Sequence, residues 1–188
     1  MNKNFIAISF LLLFSQLTFS KGNPVVEMST NKGTIEIELY KEKAPITVKN
    51  FLKYVKSNFY NGTIFHRVID NFMIQGGGYT TNLVKKKTNE PIKNEATNKI
   101  QNTVGTIAMA RTSNVNSATA QFFINVADNS FLNHRGTDSS SYGYAVFGRV
   151  IKGMSVVNQI KKAATKSNGP FANLPTENIV IKSVKLKK

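Results

Sequence analysis

One short segment of the chain combines a charged hydrogen-bond donor with large apolar side chains. Residues 65–77 carry Arg67 between Phe65 and Phe72, with Gln75 close behind and glycines at the end. A guanidinium stays charged and presents several N–H donors in a rigid, planar fork. Such donors bind an acceptor more strongly in a dry pocket than in water. The segment therefore predicts a site in which Arg67 donates hydrogen bonds to a substrate. For an arginine taken alone, an ordinary surface ion pair would be the simpler interpretation.

A second motif lies downstream, where residues 121–125 read Gln-Phe-Phe-Ile-Asn. In this order the two motifs resemble the signature of the cyclophilins, which are peptidyl-prolyl cis–trans isomerases. The resemblance runs from about residue 25 to residue 185, and within the family the chain is most similar to the bacterial periplasmic type. Cyclophilins are mainly β proteins, so the resemblance implies a closed antiparallel barrel of eight strands capped by two α-helices.

The activity that this resemblance implies is rotation about X-Pro peptide bonds in unfolded or folding proteins of the cell envelope. Resonance opposes that rotation with a barrier of about 18–20 kcal/mol, and no bond has to break. When the bond twists, the prolyl nitrogen gains a lone pair that a donor can bind. Arg67 is the implied donor. Because the lone pair exists only in the twisted state, this hydrogen bond would stabilise the transition state selectively. The apolar neighbours of Arg67 favour the catalytic interpretation over an ion pair.

The resemblance assigns the other residues of the site as well. Gln75 is implied to act with Arg67 in catalysis, either by positioning it or by holding the substrate backbone. The implied substrate-binding residues are Phe72, Met73, Ala110, Gln121, Phe123, Phe131, Leu132 and Tyr144. Taken singly, the apolar members are more typical of a packed core, and a glutamine is more typical of a buried amide that satisfies nearby backbone groups.

The chain departs from the best-known cyclophilins at several positions. Phe131 stands where many members carry a tryptophan that supports cyclosporin binding, so we expect weak or no binding of that drug. Tyr144 stands where many carry a histidine, and a tyrosine can fill the same space while donating one hydrogen bond. Segments 111–120 and 134–142 also differ from eukaryotic members in length or composition.

Two features near Arg67 could indicate acid–base catalysis or phosphate binding instead. His66 could act as a general base, but strict strand alternation would turn its side chain away from that of Arg67, and bond rotation transfers no proton. We therefore predict a structural histidine with its hydrogen bonds satisfied. The run of glycines at residues 76–78 could bind phosphate, but no helix pattern follows it, so we predict a tight turn. With two histidines and no cysteine, the sequence predicts no cofactor and no metal site.

The pattern of apolar residues predicts the elements that carry these motifs. Residues 34–40 alternate apolar and polar side chains, which indicates a half-buried strand, and they form a predicted hairpin with residues 25–29. A helix opens at Pro45 with Val48, Phe51, Leu52 and Val55 on one face, and a second helix covers residues 155–162. Further short strands are predicted at residues 64–69, 72–75, 106–109, 121–125, 145–150 and 179–186. Many short strands with two helices favour a closed or nearly closed antiparallel barrel.

The first twenty residues have the composition of a targeting segment. Lys3 precedes an apolar run at residues 5–14, and small residues follow at Thr18 and Ser20. This pattern predicts a signal peptide at residues 1–20 with cleavage after Ser20, which leaves residues 21–188 as the isomerase domain. We expect the mature protein to lie in the periplasm or to be secreted, as a monomer with no stable membrane insertion. An uncleaved membrane anchor is the alternative, although the run is short for a span.

A net charge of +15 in 188 residues is the remaining unusual property. Such a charge can mark nucleic-acid binding, but the lysines are scattered and no arginine-rich helix is present, so we predict no nucleic-acid partner. Proline-containing segments of unfolded or secreted proteins are the expected partners. Two competing functions remain open from sequence: a module that binds proline-bearing loops with incidental turnover, and a basic envelope or host-surface adhesin that uses its lysines.

Overall fold

The computed structural model describes residues 22–187, so the predicted signal peptide lies outside the described residues. Alternation shapes the first two strands, β1 (Val25–Thr30) and β2 (Gly33–Leu39), which pair as an antiparallel hairpin. The apolar residue at every second position is fully buried, as Met28 and Ile35 illustrate. The predicted N-terminal hairpin is therefore confirmed.

The helices are short and pack through a single apolar stripe each. α1 (Pro45–Lys56) begins at a proline, whose fixed φ suits the first helical turn. The carboxylate of Glu95 accepts hydrogen bonds from the backbone N–H groups of Ile46 and Thr47 at 3.1 and 2.8 Å, and so caps this helix from a distant part of the chain. α2 (Met154–Lys161) buries Val157 and Ile160. Both predicted helices are present.

The remaining barrel strands are β3 (Thr63–Ile69), β4 (Met73–Thr80), β5 (Thr106–Met109), β6 (Phe122–Asn125), β7 (Val146–Lys152) and β10 (Val180–Leu186). They close an eight-stranded antiparallel barrel in the order β1-β10-β3-β4-β6-β5-β7-β2, with β2 returning to β1. The predicted fold class is confirmed. Within residues 22–187, no helix is both long and apolar enough to cross a membrane.

The glycine run at residues 76–78 is not a tight turn, and that prediction is wrong. All three glycines lie inside β4, where the register with β3 shifts around Phe65. Gly77 has a φ of +81°, and a Cβ there would come within 2.7 Å of the Phe122 ring. The glycines therefore let a bulged strand approach its neighbours closely.

A second hairpin was not predicted. β8 (Thr165–Asn168) and β9 (Phe171–Pro175) pair with each other outside the barrel order, and β9 packs against β3. Every residue of β8 is exposed. The hairpin escaped prediction because its first strand has no buried face and hence no apolar alternation.

Two apolar clusters form the interior. The larger one includes Phe51 of α1, whose ring packs at 5.9 Å from that of Phe122 and at 5.2 Å from that of Phe147. The smaller one consists of Met73, Ala108, Phe123, Leu132 and Val146. The smaller cluster underlies the candidate site.

Candidate active site

Strand pairing sets the functional residues side by side. Arg67 of β3 lies opposite Gln75 of β4, and Gln75 lies opposite Phe123 of β6. Phe123 in turn lies opposite Ala108 of β5. Directly paired residues project from the same face of a sheet. Three neighbouring strands therefore bring a cation, an amide and an aromatic ring into one row, and the fourth adds Ala108.

This row borders a cavity of about 100 Å³. The cavity is lined by Arg67, Phe72, Met73, Gln75, Ala110, Arg111, Phe123, Leu132 and Tyr144. We refer to it as the proline cleft, after the ring that the sequence resemblance predicts it to bind. The structure thus brings together all of the residues predicted for the site except Gln121 and Phe131.

The floor of the proline cleft is apolar and well packed. Met73, Phe123 and Leu132 are each at most 8% exposed and belong to the smaller apolar cluster. The Tyr144 ring meets the Phe123 ring edge to face at a centroid distance of 5.6 Å. The sequence left open whether these apolar residues belong to the core or line a pocket. Both interpretations are compatible, because one side of each side chain packs in the core and the other forms the cleft wall.

Arg67 occupies the cleft without a carboxylate partner among the residues that the structure describes. Its Cζ lies 5.9 Å from the centroid of the Phe72 ring. None of the ion pairs formed among residues 22–187 involves Arg67. The geometry therefore disfavours an ordinary surface ion pair. A half-buried guanidinium beside an apolar floor is suited to donate hydrogen bonds to a ligand in the cleft.

Gln75 and Gln121 are linked to each other. The Nε2 amide of Gln75 donates to Oε1 of Gln121 at 2.9 Å. Gln121 lies outside the proline cleft and lines a neighbouring cavity, which Gln75 also lines. A Cβ at Gly78 would come within 2.5 Å of the Gln121 side chain, so this glycine makes room for the glutamine. The pair joins β4 to the start of β6 at the edge of the cleft.

Phe131 lies beside the cleft and not in its wall. Its side chain is 56% exposed and stacks on the Phe72 ring at a centroid distance of 5.5 Å. An exposed aromatic surface continuous with the cleft can extend contact with a bound ligand.

His66 is buried elsewhere, between the rings of Tyr79 and Phe171 at 4.8 and 6.2 Å. Within the described residues its Nδ1 has no hydrogen-bond partner, so the prediction of a fully satisfied histidine is wrong. Burial lowers the pKa of His66 to about 4, and the nearby charge of Arg67 contributes in the same direction. Its side chain does not line the cleft that Arg67 lines, in agreement with the alternation argument, although the register of β3 shifts between Phe65 and Arg67.

Arg111 is a cleft residue that sequence reasoning missed. Its Nε, Nη1 and Nη2 groups donate to the carbonyl oxygens of Gly143, Thr112 and Ser139 at 3.0, 2.9 and 2.8 Å. Its Cζ lies 4.7 Å from the centroid of the Tyr144 ring. A signal was present in the sequence, since Arg111 directly follows Ala110, but two of the three residues that hold it, Gly143 and Ser139, lie far from it in the chain.

A closed antiparallel barrel with an arginine beside an apolar cleft defines a cyclophilin-like protein. The profile of the family described as cyclophilin type peptidyl-prolyl cis-trans isomerase/CLD matches residues 25–186. The chain therefore belongs to the cyclophilin-type peptidyl-prolyl cis-trans isomerases, and it is an isomerase. The family resemblance of the two sequence motifs is confirmed.

Individual relatives agree with this assignment. The chain is 63% identical over 165 residues to a peptidyl-prolyl cis-trans isomerase of Acinetobacter baylyi, with 88% of this chain and 86% of that protein covered. It is 51% identical over 183 residues to peptidyl-prolyl cis-trans isomerase A of Dickeya dadantii, with 97% and 95% covered. A Cryptosporidium parvum cyclophilin type isomerase, crystallised in the presence of the dipeptide Ala-Pro, superposes with a TM-score of 0.72 at 26% identity, with 87% of this chain and 99% of that chain covered.

Proposed function

We propose that this isomerase rotates X-Pro bonds through Arg67 and acts on unfolded or secreted proteins of the cell envelope. The observation that carries the mechanism is the position of Arg67, which lines an apolar cleft and forms no ion pair within residues 22–187. The proline ring binds on the floor formed by Met73, Phe123 and Leu132. Phe72, Tyr144 and the exposed Phe131 extend these apolar contacts.

Catalysis in this proposal is a difference in binding between two states of the same bond. In the planar state the prolyl nitrogen shares its electrons with the carbonyl group and accepts hydrogen bonds poorly. In the twisted state its lone pair is available, and the guanidinium of Arg67 donates to it. The apolar floor limits competition from water and strengthens that hydrogen bond.

The polar residues at the edge of the cleft hold the peptide backbone. The hydrogen bond between Gln75 and Gln121 uses only one donor of the first amide and one lone pair of the second. Each side chain therefore keeps donor and acceptor capacity for a substrate amide. Ala110 follows the end of β5 and lines the cleft, and because its N–H already donates to the carbonyl oxygen of Gln121 at 3.0 Å, it would bind a substrate amide through its own carbonyl oxygen. These three residues orient the X-Pro bond relative to Arg67.

The envelope location rests on the N-terminal segment and on relatives. The apolar run at residues 5–14 with small residues at Thr18 and Ser20 supports export and cleavage. The alignment with the Dickeya protein covers nearly the whole chain and so extends into this segment. An exported monomer that begins at Lys21 is expected in the periplasmic fraction. Intact mass and size-exclusion chromatography of that fraction test this part of the proposal.

The decisive experiment replaces Arg67. Arg67→Ala should remove most of the prolyl isomerisation activity, and Arg67→Lys should also be poor because a point charge lacks the planar fork. Both variants should keep nearly native stability, since the residue makes no ion pair with the described part of the chain that would be lost. The measurement is kcat/KM on a proline-containing peptide, together with thermal unfolding.

Arg149→Ala is the matched control. Arg149 is exposed and forms a salt bridge with Glu38 at 3.0 Å, so its loss removes one surface arginine without touching the cleft. We expect native activity from this variant. Turnover close to native in Arg67→Ala would refute the mechanism. Rescue of a null strain by Arg67→Ala would point instead to a module that only binds proline-bearing loops.

A further inference from the structure

The proline cleft continues into a second cavity of about 140 Å³, which we call the side cavity. Gln75, Ala110 and Arg111 line both, so the two cavities adjoin. The side cavity is completed by Lys85, Thr112, Ser117, Thr119 and Gln121. Its other walls are hydroxyl and amide side chains, in contrast to the apolar floor of the proline cleft.

The charge of these adjoining cavities has one sign. Arg67 and Arg111 line the proline cleft, and Arg111 and Lys85 line the side cavity. Among the described residues that line either cavity there is no aspartate and no glutamate. None of the ion pairs formed within residues 22–187 neutralises any of these cations. The side cavity is therefore complementary to an anionic group.

Arg111 is fixed in place and keeps hydrogen-bond donors for such a group. Its three hydrogen bonds to backbone carbonyls use one N–H on each nitrogen. A guanidinium carries five N–H donors, so one hydrogen on Nη1 and one on Nη2 remain available. The stacked Tyr144 ring and the three carbonyl bonds already restrict the side chain, which lowers the entropy lost when a ligand binds.

We infer that Arg111 and Lys85 select substrates that carry an aspartate or glutamate close to the proline. This inference rests on the proposed function, because it assumes that the proline ring occupies the proline cleft. An extended peptide advances about 3.3 Å per residue, so a side chain a few positions from the proline reaches the side cavity. Its carboxylate accepts hydrogen bonds from Arg111 and pairs with the exposed ammonium group of Lys85.

The test uses peptide pairs that differ only by Glu or Gln at one position, taken in turn on both sides of the proline. The full chain is assayed for kcat/KM and, by fluorescence anisotropy, for Kd. At the position that reaches the side cavity, the Glu peptide should be preferred by about tenfold, because charge-assisted hydrogen bonds are the strong ones. Added salt should reduce this preference.

Variants assign the preference to residues. Lys85→Gln and Arg111→Gln should each lower the Glu-to-Gln ratio, and Lys85→Glu should lower it further because its carboxylate repels that of the Glu peptide. Arg111→Gln also removes the hydrogen bonds that Arg111 makes to three backbone carbonyls and could disturb the fold there. The Lys85 variants test the charge preference without that effect. Lys53→Gln removes the same charge from an exposed site on α1 and should leave the ratio unchanged.

A ratio near one at every position would overturn the inference, and so would an equal loss in Lys53→Gln, which would indicate general attraction to a basic surface. Turnover of the Gln peptides reports separately on the proposed function. If the chain turns over Gln peptides without preferring Glu, only the inference fails. If it turns over neither, the proposed function fails, and the ratio of Kd values still decides whether the side cavity selects a carboxylate.

Discussion

At the scale of single residues, Phe123 has two roles. Its side chain is 4% exposed and supports the smaller apolar cluster, yet it also forms part of the cleft wall. Phe123→Ala should lower kcat/KM per folded molecule because the proline ring loses its wall. The same change should reduce the free energy of unfolding by about 3–5 kcal/mol, as expected for a large core truncation.

Phe147→Ala separates these two effects. Phe147 is fully buried in the larger cluster and does not line the cleft. We expect a comparable loss of stability with native activity per folded molecule. Activity is measured at a temperature where both variants remain folded. Unchanged specific activity in Phe123→Ala would show that this residue is core only.

Phe131 makes a separate prediction about inhibition. It is exposed and stacked on Phe72 at the edge of the cleft, where a larger indole would add contact area and an N–H donor. Cyclosporin should inhibit the native protein weakly, and Phe131→Trp should strengthen inhibition. Titration of isomerase activity with the drug measures both. Tight inhibition of the native protein would mean that Phe131 does not control drug binding.

At the scale of elements, the β8–β9 hairpin covers part of the barrel and helps to bury His66. Phe171 of β9 packs edge to face against both His66 and Tyr79. Burial is the main cause of the lowered pKa of His66. Phe171→Ala should admit water to the imidazole and raise its pKa from about 4 towards the ordinary value. NMR titration of the ring protons measures the change.

Phe131→Ala is the control for this experiment, because it removes a ring that packs on Phe72 and not on His66. The pKa of His66 should stay near 4 in that variant. An unchanged pKa in Phe171→Ala would show that the barrel alone excludes water from this histidine.

At the scale of the whole molecule, pH should affect stability and activity differently. The pKa of His66 is about 4 in the native protein and about 6.5 in an unfolded chain. The native state thus binds a proton less readily than the unfolded state does. The stabilising difference is fully present above about pH 6.5, decreases as pH falls, and is lost below about pH 4. Activity should stay flat between about pH 6 and pH 9, since guanidinium groups remain charged there.

His66→Gln is the variant that tests both statements. Its activity profile should match that of the native protein, and its free energy of unfolding should lack the part of the acid sensitivity that His66 causes. Activity across pH and denaturant unfolding at a series of pH values are the two measurements. A bell-shaped activity profile in the native protein that disappeared in His66→Gln would restore His66 as an acid or base.

The sequence by itself predicted the barrel strands and both helices, some from periodicity that records which side of an element is buried and others, such as β5 and β6, from short apolar runs between polar loops. The alternation in residues 34–40 and the stripe from Val48 to Val55 are examples. It could not determine β8 or the placement of the glycines inside β4. Neither feature follows a periodic pattern, and a bulge depends on what the neighbouring strands require.

The residues around Arg67 were named through two short motifs, but their assembly was decided by tertiary structure. Arg67, Phe123 and Tyr144 meet because β4 pairs with both β3 and β6 and because residue 144 precedes β7. Arg111 shows most clearly what local sequence cannot predict, because the carbonyl groups of Ser139 and Gly143 that fix its side chain lie far along the chain. Contacts between distant residues depend on strand pairing and loop closure, and no local spacing encodes them.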